Sequence, residues 1–403
     1  MKTPAEALAE VLGRVAATSN STQVPLEQAL RRVLARDVAS DVDLPPFEKS
    51  AMDGFAVRSA DFAGRARPVR LRKIGESRAG APFEREVRAG ECTEITTGSE
   101  LPRGCDAVVM VEKTRAEDAD VLLDDEPRPG QNVCHRGEDL RAGEVVLRRG
   151  ARLAAVELAV LASVGCDPVP VHAQPRVSIL ATGDELVAPS SKPGIGQIRE
   201  GNSFYLAARA REAGAAVSRI GIVPDDPREL ERVLRSALEE SDVVITTGGV
   251  SMGRYDLVGG VLERCGVEPV FHKVAIKPGK PLWFGMRGAR PVFGLPGNPV
   301  SCLIGFEVFI RPALAKLEGE VEANIVPPLR RGRWKGGPTR ENPREQHLPV
   351  KTVPGEDGVV ALEPIRWSSS ADITGLTRAD ALALVPMGRV LAPGELVLYR
   401  PLR

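Results

Sequence analysis

Four short stretches in the second half of the chain combine glycine with acidic or hydroxyl side chains. They are Thr182-Gly183-Asp184-Glu185, Pro224-Asp225-Asp226, Thr247-Gly248-Gly249-Val250-Ser251-Met252-Gly253 with Asp256 just beyond, and Leu295-Pro296-Gly297-Asn298-Pro299. Taken singly each is ordinary turn chemistry, and Asp225 or Asp226 could simply cap a helix. Each, however, follows a short β-type apolar run, so all four are expected at the carboxyl ends of strands, where open α/β sheets bind ligands. Glycine-rich loops ahead of helices present backbone N–H groups to anions. Lys273, Lys277 and Lys280 cluster nearby, although the whole chain has only 11 lysines against 43 arginines. Glu185, Asp225 and Asp256 beside such a site would repel an anion unless a cation bridged them. Mg²⁺ suits that position, because it takes one or two carboxylates together with phosphate oxygens and water. The residues therefore point to a Mg²⁺-assisted site for a phosphorylated or oxyanionic ligand.

Competing motifs are weaker. Gly249-Val250-Ser251-Met252-Gly253 matches the G-x-S-x-G nucleophile elbow, but the extra glycine before it spoils the sharp strand-to-helix turn, and only His272 and His347 lie downstream as triad partners. There is no G-x-x-x-x-G-K-[ST], and Gly194-Ile195-Gly196-Gln197-Ile198-Arg199 fails the dinucleotide pattern. In the first half, Ser50–Ala56, Ile95–Gly98 and Arg136–Asp139 are acidic or polar spots flanked by glycine, with turns in a β module as the plain alternative.

The elements that must hold these residues follow from periodicity. Apolar residues at Leu8, Val11, Leu12 and Val15, and again at Leu26, Ala29, Leu30, Val33 and Leu34, predict two helices in the first fifty residues. Short apolar runs broken by Gly, Pro and Asp from Pro45 to Gly150 predict a β-rich module. Leu153–Val164 is again helical, with Gly165 as C-cap, and is expected to pack with the N-terminal helices. Strands near 177–181, 217–223, 242–246, 270–276, 281–285 and 292–295 alternate with helices, the first of them capped by Asn202 or Ser203. That alternation predicts a parallel, doubly wound α/β sheet. The last eighty residues read as a small β domain, with strands near 359–362, 381–385 and 396–400. The expected division is 1–45 with 148–173 as a helical and linker domain, 46–147 as the inserted module, 174–322 as the α/β domain and 323–403 as a C-terminal, β-barrel-like domain.

Composition bounds the function. The chain has 403 residues, 54 basic and 54 acidic side chains and 43% hydrophobic residues, so it can bury several cores and has no net field to draw nucleic acid or an anionic membrane. Six scattered cysteines without a C-x-x-C pair, and only four histidines, argue against disulfide frameworks and structural zinc. The acidic N-terminus lacks a signal-type apolar run, and no stretch suits a bilayer span; a soluble cytoplasmic protein is expected.

Together, Ser50–Ala56, Thr96–Gly98 with Gly104–Val109, Asn132–Asp139, Thr182–Leu186, Gly248–Asp256, Lys273–Pro281 and Gly294–Ser301 resemble the successive motifs of the molybdopterin molybdenumtransferase family, which is similar to the E domain of gephyrin. The resemblance spans nearly the whole chain in order. It implies a four-domain subunit, a homodimer, and a site between the α/β domain of one subunit and the β module of the other. The implied reaction is entry of molybdate into adenylylated molybdopterin, with Mg²⁺ assisting and AMP leaving as molybdenum cofactor is released. By motif position it implies catalytic roles for Asp53, Asp139, Glu185, Asp225 and Asp256, the last two at the metal. Substrate binding is implied for Thr97, Thr182, Gly183, Gly248, Gly249, Ser251, Lys273, Lys277, Lys280, Pro296 and Asn298, with Arg344 and Ser370 at oxyanion positions of the last domain. Cys134 stands where many relatives have Arg, so either His135 or Arg136 supplies that charge or one anion contact is weaker here. A gephyrin-like scaffold and a molybdopterin adenylyltransferase are the alternatives; the adenylyltransferase is also an expected contact partner.

Overall fold

The computed structural model describes residues 1–249, 257–355 and 357–402. The chain forms two compact units, one of residues 37–148 with 155–167, the other of residues 1–36, 149–154 and 168–403. This partition cuts across the expected grouping of 1–45 with 148–173.

Helix α1 (Pro4–Arg14) starts as its sequence predicts. Thr3 caps it, the Glu6 side chain reaches back to the Thr3 N–H at 2.8 Å, and Pro4 occupies the first turn. Its buried face, Ala7 and Val11, joins the core of the larger unit. The second N-terminal helix does not form. Leu26–Gln28 is a single 3-10 turn, Leu30 is exposed, and Val33 and Leu34 make isolated bridges to Arg152 and Val171. Tertiary pairing thus overrides the helical spacing. Helix α2 (Ala155–Ser163) belongs to the smaller unit.

The smaller unit is built on a six-stranded, mostly antiparallel sheet in the order 107–110, 54–57, 91–95, 69–77, 120–123, 114–117. Its core is Phe55, Val57, Phe62, Val69, Leu71, Val109 and their neighbours. Gly54 is required here, since a Cβ would collide with the Val109 carbonyl of the paired strand.

The larger unit contains the α/β sheet, in the order 216–223, 176–182, 243–247, 290–295, 281–287, 268–273. The first four strands are parallel, while Pro281–Arg287 is antiparallel to both of its neighbours. The sheet is therefore mixed rather than all parallel. Two antiparallel steps restore the direction of Glu268–Lys273, so its carboxyl end lies on the same edge as those of the parallel strands. Helices α3 (Asn202–Glu212), α4 (Pro227–Glu240), α5 (Leu257–Arg264), α6 (Pro299–Gly305) and α7 (Arg311–Leu317) accompany the sheet. Gly201, not Asn202 or Ser203, is the cap of α3; the buried Glu200 carboxylate accepts from the Ser203 N–H and hydroxyl at 2.7 and 2.5 Å. In α4, Leu230, Leu234, Ala237 and Leu238 are buried as their spacing predicts.

The C-terminal strands close on themselves, in the order 345–353, 361–364, 330–334, 396–401, 381–385 and back to 345–353. This is a five-stranded barrel. Strands Arg330–Trp334 and Glu345–Val353 were not legible in the sequence. Ile276–Lys277 adds to this barrel as an extra strand, paired with Glu345–Gln346. The single strand expected over 270–276 is therefore two pieces, each committed to a different sheet.

Candidate active site

The four stretches leave the same edge of the α/β sheet because the strands that deliver them run parallel. Gly248 and Gly249 follow Thr247 with φ of 90° and 64°, and a Cβ on Gly248 would collide with the Thr182 carbonyl of the adjacent strand. Only glycine fits. The Gly248 N–H donates to Leu295 O at 3.1 Å, so this turn lies across the ends of three neighbouring strands. The Thr182 hydroxyl is buried beside the turn and has no hydrogen-bond partner among the described residues, leaving its capacity for a ligand. Gly248→Ala is expected to lose turnover and to lower stability by about 2 kcal/mol or more, through backbone collision and an unfavourable positive φ. A thermal melt matching wild type would remove the steric argument. Ser251 and Asp256, and the nucleophile-elbow reading, lie outside the described residues. Of the candidate triad histidines, His347 is buried in the barrel with Nε2 on Glu345 at 2.8 Å, and His272 packs edge-on against Trp283.

Asp226 takes the structural role at the next loop, accepting from the Arg228 and Glu229 N–H groups at 3.0 and 2.8 Å as the cap of α4. The Asp225 side chain takes no part in that cap and faces the Asp184 backbone N–H instead. Its own N–H donates to Asp184 Oδ1 at 3.0 Å, and Glu185 folds back over Gly183, where a Cβ would strike its carboxylate. Desolvation, reinforced by the charges of Asp184 and Glu185, pushes the Asp225 carboxyl above its ordinary value. These are hard oxygen donors short of a cation. No group of three metal-ligating side chains occurs among the described residues. The raised value has a sign consequence. If the carboxylate takes up Mg²⁺ in place of its proton, affinity should rise with pH as Asp225 deprotonates, and Asp225→Asn should flatten that dependence. Calorimetric Mg²⁺ titrations at several pH values, with phosphate ligand present, measure this; an equal slope in both proteins would acquit Asp225.

The last strand leads into Pro296–Asn298 and then α6. Asn202 Nδ2 donates to Gly297 O at 2.6 Å and to the Thr247 hydroxyl at 3.2 Å, while Cys302 Sγ donates to Pro296 O at 2.9 Å. Asn298 Nδ2 donates to Ser370 Oγ at 2.8 Å, and the Val300 N–H to Ser370 O at 3.0 Å. Arg344 Nη1 donates to Ile276 O at 3.3 Å, next to Lys277. These bonds tie the start of α6 to Ser370 and, separately, Arg344 to the Lys277 strand. Lys273 ends its strand on the same edge, in register with Pro281, which adjoins Lys280. None of the three lysines forms an ion pair among the described residues, so their charge remains available to an anion. Asn202, read from the sequence only as a cap, proves to brace two of the loops.

In the smaller unit, Asp53 Oδ1 accepts from the Thr97 N–H and hydroxyl at 2.6 and 2.9 Å, which holds its carboxyl below the usual range. Two spots 44 positions apart thus form one exposed acidic feature. Asp139 is exposed, its N–H on Leu44 O at 3.0 Å, with no side-chain bond to Asp53 or Thr97. Neither candidate for the charge missing at Cys134 is free: Arg136 donates to Asp43 at 2.6 Å and His135 faces Glu48 at 3.3 Å. Lys49 stands directly across the ladder from Cys134 and forms no ion pair among the described residues.

Comparison with known proteins covers almost the whole chain. Residues 2–165 match the family pattern described as MoeA N-terminal region (domain I and II), 178–316 a probable molybdopterin binding domain, and 334–402 the MoeA C-terminal region (domain IV). Molybdopterin molybdenumtransferase of Haemophilus influenzae is 39% identical over 321 residues, covering 79% of this chain and 78% of the relative. That of Bacillus subtilis is 35% identical over 372 residues, covering 91% and 86%. The solved molybdopterin biosynthesis moea protein of Pyrococcus horikosii superposes with a TM-score of 0.85 at 32% identity, over 100% of both chains.

Proposed function

The chain belongs to the MoeA family of molybdopterin molybdenumtransferases, enzymes of molybdenum cofactor biosynthesis, and from that premise we propose that it inserts molybdate into adenylylated molybdopterin, releasing AMP and molybdenum cofactor with Mg²⁺ assisting. The observation that carries the reading is the gathering, on one sheet edge, of glycine turns, a buried hydroxyl without a partner among the described residues and under-neutralised carboxylates, with Lys273 ending a strand on that edge and Lys277 four residues further on in the barrel strand. Every ligand named is an anion, and the carboxylates would repel all of them without a cation.

The chemistry balances without a change in metal oxidation state. One molybdate oxygen leaves with two thiol protons as water while two Mo–S bonds form, and cleavage of the phosphoanhydride consumes one water as AMP departs. Lys277, Arg344 and Ser370 are proposed to hold the oxyanion, with Lys273 and Lys280 countering phosphate charge. The glycine turns at 183, 248 and 249 let the ligand approach the backbone, with Thr182, Pro296 and Asn298 bordering it. Asp225, with Glu185 and Asp256, would hold Mg²⁺, which supplies charge neutralisation at the anhydride. We further propose a cytoplasmic homodimer in which Asp53, Thr97 and Asp139 of one subunit complete the partner's site, and a four-part organisation with 46–147 inserted between the halves of the first domain and 174–322 and 323–403 following it. The adenylyltransferase that makes the substrate is the expected handover partner.

The competing step is adenylylation itself. Given molybdopterin and Mg-ATP, the protein should form neither pyrophosphate nor adenylylated molybdopterin; appearance of both would replace the proposed reaction with the earlier one.

A further inference from the structure

We propose that the larger unit carries a second anion site, remote from the sheet edge, for a small phosphorylated ligand. Its seat is a cavity of about 490 Å³ walled by Arg31, Arg209, Arg311 and Arg330, one carboxylate, Glu212, and otherwise proline, alanine and leucine. Arg311 opens α7, twelve positions along a continuous helical run from Pro299. At 1.5 Å per residue that is about 18 Å from the Asn298 loop.

The charge there is unbalanced. Arg209 donates through Nε to the fully buried Glu307 at 2.8 Å and also pairs with Glu212, and Arg311 lies 3.5 Å from the other Glu307 oxygen. Two carboxylates therefore serve four guanidinium groups, since Arg31 and Arg330 have no ion pair among the described residues. This surplus sits in a chain whose formal net charge is zero. Close by, Arg400 is 5% exposed, and its Nε and Nη1 have no acceptor among the described residues. Burial holds it below its ordinary pKa, and it lies within electrostatic reach of Glu307, Arg311 and Glu345, so with Arg400 and Glu345 both counted the surplus stays at two. Buried donors without acceptors are costly, and Arg400 directly precedes Pro401 and Leu402 of the cavity wall, so an anion held there would offset part of that cost.

The backbone supports the same reading. Arg31 is one of the few non-glycine residues at positive φ, 64°, and it is pinned from both sides: its N–H donates to Leu153 O at 2.8 Å and its carbonyl accepts from Arg152 Nη1 at 2.7 Å. Strain kept at an exposed arginine is the kind that accompanies a ligand clamp. Guanidinium forks match phosphate oxygens, a surplus of two charges matches a dianion, and proline walls lose little freedom on binding.

The probes are inorganic phosphate and ribose 5-phosphate, which distinguish free phosphate from a phosphate ester. They are titrated by calorimetry and thermal melting into the full-length Lys277→Ala protein, where the sheet-edge site is weakened. About one equivalent per chain should bind and raise Tm. Adding Arg31→Glu with Arg330→Glu, two exposed positions, should weaken binding roughly tenfold or more with an unchanged circular dichroism spectrum, and the same pair in the wild-type background should leave turnover unaltered. The site is disproved if neither probe binds the Lys277→Ala protein, if binding survives the arginine reversals, or if sodium chloride at equal ionic strength gives the same Tm rise.

Discussion

Lys277→Ala should lower turnover by roughly two orders of magnitude or more, the scale of losing one preorganised electrostatic contact to a reacting anion. The backbone of Ile276–Lys277 is held in the C-terminal sheet by pairing with Glu345–Gln346 and by the Arg344 bond to Ile276 O. Neither contact uses the lysine side chain, so the fold should survive and the loss should be chemical. A compact ammonium acts as a point charge rather than a fork, so Lys277→Arg should keep part of the activity. The readout is the dependence of rate on molybdate concentration. If Lys277→Ala shifts neither the molybdate requirement nor the maximal rate, Lys277 is only a barrel-edge residue.

A comparable loss is expected for Asp53→Ala and Asp225→Ala, each as a homodimer. Asp53 holds the Thr97 N–H and hydroxyl in the smaller unit, whereas Asp225 belongs to the acidic cluster of the larger. If sites are completed across a dimer, mixing the two variants restores one intact site per heterodimer, and activity should climb toward half that of wild type. Isolated heterodimers that stay inactive would mean that each site is built within one chain.

The α/β half was largely legible because its strands carry continuous apolar runs, and α4 shows why its helices were too: Leu230, Leu234, Ala237 and Leu238 repeat at helical spacing behind an Asp-Pro start. Leu26–Leu34 shows the limit. The same spacing is present, yet Arg31 adopts positive φ and Val33 and Leu34 bridge to residues more than a hundred positions away. Local periodicity carries no information about those partners. The Glu345–Val353 strand was hidden for another reason. It buries Gln346 and His347 and contains Pro349, which blurs both alternation and β propensity.

The candidate site divides the same way. Glycine turns and lysine clustering can be read locally, so Gly248, Gly249 and Lys277 stood out. The separation of roles between Asp225 and Asp226 needed geometry, because either could have capped α4. The bracing by Asn202 joins Thr247 to Gly297, and Ser370 meets Asn298 only because the barrel returns to the α/β sheet. Such contacts between distant segments leave no trace in spacing.

The reaction itself is the claim on which the rest depends, and it is tested most directly by incubating the purified protein with adenylylated molybdopterin, molybdate and Mg²⁺ while following AMP and active molybdenum cofactor together. Both products should appear in equal amounts, and both should require molybdate and Mg²⁺. AMP released without cofactor, or no AMP at all under these conditions, would contradict the account.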